Sequence, residues 1–439
     1  MAFSPLRNSA CRIVFKLADW LHFWRYPADI DVEDLKSFWR MTYWFYISGR
    51  PVTRAEKGSG LETFFERQRQ APAPLLPPGF QRHTSLSFSA VGDLMCNKGL
   101  EHSAGRFYER VAHLIFDADV SFANLESSLT SGPIVETAIS KDDLPKINAN
   151  PAQFDVIKGH EGKNYTVVQT ANNHILDCGF DGILTTHSQL EKEGIRFTGT
   201  NRSGDEQEKG MILDSAGPTT APCVRLGFVT ATWGVNNRPF PEGKEYLVNV
   251  VRFHQHAAKA DLSLLKKQLA WCRTQGCDLV IAGLHWGCEW EFFPRRYQID
   301  MAHELAEAGA DLIIGHHSHV IQPLEWYRTQ RDPDRLVPIF YNLGNLVAIA
   351  NAPFSALSLI ASLKLVKGRV GNETKTLVES LGVVPVFQMN HESNGATRVW
   401  LETLQHAWAN RTGSDRWRIE EAAKYADLVL GPGWRESAI

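Results

Sequence analysis

The sequence predicts an α/β fold, with helices packed against a sheet and an extra helical segment at the N-terminus. Three observations carry that prediction. From about residue 84, short apolar runs alternate with stretches of helical spacing. Five of the apolar runs end in a short cluster of Asp, Glu, Asn or His. The first 80 residues are aromatic and helical in pattern, and they close on a proline-rich stretch.

Residues 1–70 are expected to form the N-terminal helical segment. Ile13, Val14, Leu17, Leu21 and Trp24 recur at helical spacing, and a second pattern runs from Leu35 through Phe38 and Trp39 to Ile47. Trp20, Trp24, Trp39 and Trp44, with Tyr26, Tyr43 and Tyr46, make this segment strongly aromatic. Helices of this kind pack on a larger domain or, with scattered Arg and Lys, serve a membrane surface or a partner. Residues 71–83, with Pro72, Pro74, Pro77 and Pro78, read as a stiff linker.

The main domain is expected over 84–405. Its apolar runs at 86–91, 120–123, 167–170, 279–284 and 312–314 read as buried strands. Ile183, Leu184, His187 and Leu190 share one helical face, and Gly194 is placed to stop that helix. Ile299, Ala302, Leu305 and Ala306 form a second helix that ends near Gly309. After Asn345 the runs 358–365, 381–387 and 397–401 look like strands without intervening helices, so a more antiparallel portion closes the core. Residues 406–439 read as a C-terminal helix, over 415–428, and a tail. No internal repeat at a fixed period is present.

The bulk numbers exclude several classes. At 439 residues the chain suits one large domain with appendages. Hydrophobic residues at 44% and charged residues at 22% are ordinary for a globular protein and argue against wholesale disorder. A net charge of −3 gives no reason to expect nucleic acid as a partner. Seven scattered cysteines without a Cys-x-x-Cys pair point to free thiols in a reducing compartment. No apolar run approaches the roughly 18–20 residues of a membrane span, and Lys16, Asp19 and His22 interrupt any secretory core. The expected location is cytoplasmic, with the aromatic helices available for peripheral contact with a membrane.

The polar clusters carry the chemistry. In order they are Gly92-Asp93, Asn124-Leu125-Glu126, Asn172-Asn173-His174, His285-Trp286-Gly287 and Gly315-His316-His317-Ser318-His319. Ligands of open α/β sheets bind at the carboxyl ends of the strands, so five such clusters in that position point to a metal centre. Singly, each carboxylate reads as a helix cap or a solvated residue, and a lone His as an ordinary polar one. Three His within four residues are harder to explain that way. Imidazole and carboxylate donors suit Zn, Mn or Fe, in one copy or two, better than a Ca or Mg cage. The chemistry that fits is hydrolysis of a phosphorus or carbonyl ester, or of an amide. A bound cation lowers the pKa of its water from about 15.7 to about 7. His174, beside the candidate ligand Asn173, is placed to protonate a leaving group. Neither a Walker loop nor a dinucleotide fingerprint is present, and no Gly-x-Ser-x-Gly elbow appears. Cys178 and Cys288 lie nearest the clusters and read as small packing residues.

These motifs resemble the CapA family of bacterial capsule and poly-γ-glutamate synthesis proteins, whose domain looks like that of the calcineurin-like metallophosphoesterases. The likeness runs over roughly residues 86–347 through Gly92-Asp93-Leu94-Met95, Asn124-Leu125-Glu126 and Asn172-Asn173-His174-Ile175-Leu176-Asp177. It continues in His285-Trp286-Gly287 with Glu289, Gly315-His316-His317-Ser318-His319 and Leu343-Gly344-Asn345.

The resemblance implies a four-layer α/β/β/α sandwich of the metallophosphoesterase type with divalent metal at the sheet ends. It implies that Asp93 binds one ion and that Glu126 stands where a bridging carboxylate stands. Asn173, His285 and His317 would bind the second ion, and His319 would reach back to the first. His174 would be the acid, with Asn124, Asn172, Asp177, Glu289, His316 and Asn345 behind the ligands or against substrate. One departure is Met95, a soft thioether where phosphoesterases carry a ligand His.

The function implied is a metal-dependent, phosphoesterase-like hydrolase in capsule or poly-γ-glutamate synthesis, acting on an anionic polymer or a phosphoester. Two alternatives stand beside it. One is a non-catalytic metal-binding accessory that holds a polyanionic polymer or its synthase complex. The other is a metal-dependent hydrolase of γ-glutamyl amide bonds.

Overall fold

The computed structural model describes residues 18, 24–70, 75–97, 99–131, 146–215, 224–253, 260–349, 352–393 and 395–436. Two β-sheets dominate it. Across the larger one run Ala396–Thr403, Glu373–Ser393, Leu357–Val370, Gln81–Leu94, Val120–Asn124, Val167–Gln169 and Arg196–Thr198, with Asn345–Val347 also paired to Gln81–Leu94. The smaller sheet runs Leu324–Arg328, Leu336–Phe340, Leu312–His316, Leu279–His285, Arg225–Thr232 and Met211–Asp214.

The centres of both sheets are parallel. Their strands are buried on both faces, which is why they read as continuous apolar runs without alternation. The antiparallel portion is the meander Leu357–Val370, Glu373–Ser393 and Ala396–Thr403, each strand longer than the sequence pattern predicts. It pairs with Gln81–Leu94, itself three residues longer at its start than the boundary expected at residue 84.

The sheets pack face to face through aromatic side chains. Phe122 and Phe228, one from each sheet, stack with centroids 5.9 Å apart, and Phe88 lies 6.5 Å from Phe228. Fully burying one such side chain stabilises by about 1.5–3 kcal/mol. Ser263–Thr274 and Arg296–Ala308 cover the outer face of the smaller sheet with Leu265, Leu269, Ala302 and Leu305. On the outer face of the larger sheet, Ala112–Phe116, Pro151–Ile157 and Gly179–Lys192 supply Ile115, Phe154 and Leu190 to a second core. The order is helix, sheet, sheet, helix.

Local chemistry sets the helix ends. Asn150 and Gln153 form a reciprocal capping box with Pro151 at the first turn. Gly194 and Gly309 take φ of +70° and +128°, where a side chain would be strained, and the two expected helices stop there.

Of the N-terminal segment, the helix expected through residues 13–24 lies outside the described residues apart from Ala18 and Trp24. The second forms as Phe38–Ile47, and Leu61–Gln68 adds a helix that the sequence pattern did not signal. Ala55, Leu61 and Phe65 join the main core. Among the described residues no helix is long and apolar enough to cross a membrane. The described cysteines are free thiols.

Strand register then lines up the polar clusters. Asp93 pairs with Asn124 on one side and Asn345 on the other. In the smaller sheet, His285 pairs with Thr232 and with His316. With Asn124 also paired to Gln169, the strands that lead into the five clusters lie side by side, three in the larger sheet and two in the smaller.

Candidate metal centre

Close backbone approach builds the rim. A Cβ on Gly92 would lie 2.0 Å from the Gly344 carbonyl oxygen, so only glycine lets Asp93 N donate to that oxygen at 2.9 Å. Across the site, a Cβ on Gly315 would lie 1.9 Å from the Tyr341 carbonyl oxygen. The loop that follows holds two non-glycine residues at positive φ, His317 at +90° and His319 at +55°. Such conformations cost free energy and persist where surrounding structure enforces them.

Glu126 lies at the middle. One atom each from Glu126, His285 and His317 falls within 4.8 Å of the others, and the same holds for Asp93, Glu126 and His319. Its Oε1 lies 3.5 Å from His285 Nε2 and 3.6 Å from His319 Nε2. Both Glu126 oxygens are buried without a hydrogen-bond partner. A buried carboxylate without donors is costly unless a cation supplies the missing charge. His316 Nε2 and His317 Nδ1 are unpartnered and buried as well. The donor set therefore fits a divalent cation.

Asp93 is held on all sides. Asn124 Nδ2 donates to its Oδ1 at 2.8 Å and His316 Nδ1 at 2.9 Å, while the His317 amide donates to Oδ2 at 3.3 Å. Asn124 Nδ2 also lies 3.2 Å from His285 Nδ1, tying the first and fourth clusters together. Asn173 Oδ1 sits 2.7 Å from His285 Nε2. His319 Nδ1 lies 2.9 Å from Asn345 Oδ1 and 3.4 Å from Asp93 Oδ2. Asn172 turns inward instead, donating to the Leu125 carbonyl at 2.7 Å, so it fixes the Glu126 turn and is closed to substrate.

The electrostatics follow from burial and charge. Burial, then the Asp93 charge, pushes Glu126 well above the usual carboxylate range. Burial also opposes ionisation of Asp93, but hydrogen bonds from His316 and His319 outweigh it and hold Asp93 well below its ordinary value. While no cation faces it, burial and the neighbouring Asp93 charge both work against the ionised form of Glu126. Burial, reinforced by neighbouring imidazoles, drives His285 well down and His317 down to about 3. Neutral imidazoles are the form that ligates metal.

His174 stands at the edge, its side chain 9% exposed. Its Nδ1 donates to Asp177 Oδ2 at 2.6 Å, so Nε2 is the nitrogen left for another partner. Asp177 is fixed in turn by the Ile147 amide at 2.7 Å and Arg238 Nε at 3.3 Å. Met95 is buried beside the first cluster.

Several neighbours escaped the sequence reading. Asn236 Oδ1 accepts from Asn173 Nδ2 at 3.2 Å, and Trp233 packs 5.5 Å from the His317 ring. A signal for both existed, because the apolar stretch 226–232 also ends in a polar cluster, Trp233-Gly234-Val235-Asn236-Asn237. Glu289 lies 3.9 Å from His317 and takes hydrogen bonds from Arg40 and Trp44. Nothing in the sequence linked those two N-terminal residues to the rim.

A family model described as bacterial capsule synthesis protein PGA_cap matches residues 87–349. The chain is 28% identical over 267 residues to the PGA biosynthesis protein CapA of Bacillus subtilis, covering 60% of this chain and 63% of that protein. It is 23% identical over 291 residues to the capsule biosynthesis protein CapA of Bacillus anthracis, covering 63% of each. The chain thus spans just under two thirds of the length of these relatives. Among solved structures, the calcineurin-like phosphoesterase YfkN from Bacillus subtilis aligns over 78% of this chain and 96% of that one, with 13% identity and a TM-score of 0.36.

Proposed function

The chain belongs to the bacterial capsule synthesis protein PGA_cap family, and we propose that it is a metal-dependent hydrolase of ester bonds serving capsule or poly-γ-glutamate synthesis. The observation that carries this reading is the Glu126 carboxylate, unpartnered, buried and common to two triads of candidate ligands. Asp93, Glu126 and His319 would hold one divalent cation. Glu126, His285 and His317, with Asn173 Oδ1 beside His285, would hold another. Zn, Mn and Fe suit these donors. When bound, such a cation supplies hydroxide at neutral pH and offsets charge on the group under attack.

The chain's own residues do the rest. Asn124 and His316 both donate to Asp93 Oδ1 and fix its carboxylate beside Glu126 and His319. Asp177 accepts from Nδ1–H of His174, so that in the imidazolium form the second proton, on Nε2, is the one passed to the leaving oxygen, and the neutral Nδ1–H tautomer is left. Buried Trp233 packs 5.5 Å from the His317 ring and walls that side of the site. The substrate is an anionic polymer or a phosphoester connected with its synthesis, and contact with the synthase complex belongs to the same reading.

The test is turnover of a generic phosphomonoester and phosphodiester by the metal-loaded full chain, with poly-γ-glutamate chain length followed in parallel. Ester turnover abolished by Asp93→Asn and by His285→Ala supports the proposal. Turnover unaffected by both variants overturns the site assignment. Shortening of poly-γ-glutamate without ester turnover replaces the ester by the γ-glutamyl amide.

A further inference from the structure

The helix Phe38–Ile47 lies outside the family match at 87–349, yet one of its faces ends on the metal centre. Arg40, Tyr43 and Trp44 share that face through their i, i+3 and i+4 spacing. Arg40 Nη2 donates to Glu289 Oε2 at 2.7 Å and Trp44 Nε1 to Oε1 at 3.1 Å, so this helix engages both oxygens of Glu289. Tyr43 OH donates to Glu291 Oε1 at 2.7 Å, and Arg295 donates to both oxygens of Glu291. Arg40 is only 2% exposed and its Nε donates to the Val32 carbonyl at 3.0 Å.

The turn that these side chains grip touches the histidine loop. Val52 N donates to the Trp290 carbonyl and Phe292 N to the Val52 carbonyl, both at 2.9 Å. On its other side, Trp290 N donates to the Ser318 carbonyl at 2.7 Å, between His317 and His319. Glu289 Oε2 itself lies 3.9 Å from His317 Nε2. A contiguous chain of contacts therefore runs from Arg40 to two candidate ligands. Stability alone does not call for it, because apolar residues of similar volume replace buried ion pairs without loss. Polar partners that orient metal ligands do call for it.

We propose that the segment from Val32 to Val52 is part of the metal centre, with Arg40 and Trp44 as positioning residues that hold Glu289 and the Trp290–Ser318 contact. Through them His317 is kept in ligating geometry. The inference rests on the metal-centre reading above but not on any turnover.

The experiment uses the full chain, stripped with a chelator and titrated with Zn²⁺ against a chromophoric competitor, with thermal unfolding of each stripped protein alongside. Trp44→Phe keeps an aromatic side chain against Trp290 in smaller form and removes the indole N–H bond to Glu289. It is expected to unfold at the wild-type temperature and to lose zinc affinity severalfold. Arg40→Met is expected to lose affinity about 10–100-fold, the range seen when outer partners of metal ligands are removed, and Arg40→Lys to recover part of it. Should Arg40→Met fail to fold, Trp44→Phe decides. Folded variants that bind zinc as tightly as wild type overturn the inference alone. A wild-type protein that binds none of Zn²⁺, Mn²⁺ and Fe²⁺ overturns the metal-centre reading and this inference with it.

Discussion

Asp177 Oδ2 and His174 Nδ1 lie 2.6 Å apart, three residues separated on one turn at the rim of the two sheets. A carboxylate can only accept, so the contact places a proton on Nδ1, and Nε2 is the nitrogen that carries the second proton of the imidazolium. General acid catalysis contributes typically about 10²–10⁴-fold. His174→Ala is predicted to lower kcat by that factor on substrates with poor leaving groups and much less on nitrophenyl esters. Asp177→Asn should show a smaller loss with the same leaving-group dependence. Neither should change the number of ions bound, as elemental analysis would show. Equal losses on good and poor leaving groups would remove His174 from the acid role.

Glu126 predicts a crossing of stabilities. Its buried, unpartnered carboxylate is a liability when no cation faces it and a ligand when one does. After chelation, Glu126→Gln should unfold at or above the wild-type temperature. With Zn²⁺ at a thousandfold excess over Kd, wild type should gain about 4 kcal/mol and the variant much less. A variant destabilised equally with and without zinc would make Glu126 an ordinary core residue.

Gly92 tests the backbone approach that carries Asp93. The Gly344 carbonyl would meet a Cβ at 2.0 Å, and backbone cannot swing aside as a flexible side chain does. Gly92→Ala is predicted to cost about 3 kcal/mol in urea unfolding. Gly382→Ala, in open surroundings, should change stability by less than about 0.5 kcal/mol. Equal effects at the two positions would contradict the packing.

Asp311 gives a pH dependence away from the metal centre. It is buried and takes ion pairs from Arg331 at 2.7 Å, Arg335 at 3.1 Å and Arg273, and a bond from the Val280 amide at 2.8 Å. Burial opposes its ionisation, but the three guanidinium groups outweigh burial and hold it below the usual carboxylate value. Its stabilisation is therefore complete above the unfolded value near about pH 4 and is lost as pH falls below that. Asp311→Asn should cost about 3 kcal/mol at pH 7. The gap to wild type should narrow on acidification below about pH 4 and stay flat from about pH 5 to 8.

The fold and the family were legible because buried parallel strands leave an unmistakable mark, five apolar runs each ended by polar residues. Gly194 and Gly309 marked their helix ends for a local reason, the positive φ that only glycine takes cheaply. Convergence of Asp93, Glu126, Asn173, His285, His317 and His319 on one rim follows from register, and the order of the clusters along the chain hinted at it. The contribution of Asn236 was hidden because Arg225–Thr232 was not read as a strand, so its terminal cluster was not counted. Trp44 stood among the aromatics expected to pack on a larger domain, but its link to Glu289, and that of Arg40, left no trace. Their partners lie some 245 residues or more away, and a buried arginine in an aromatic helix looks like a solvated one until the chain is folded.

The most direct measurement is anomalous diffraction from crystals of the zinc-loaded full chain. A peak bonded to a Glu126 oxygen at about 2.0–2.2 Å, with His285 and His317 nitrogens at about 2.0–2.1 Å, is the predicted result. Zinc bound elsewhere, with Glu126 still unpartnered, would contradict it.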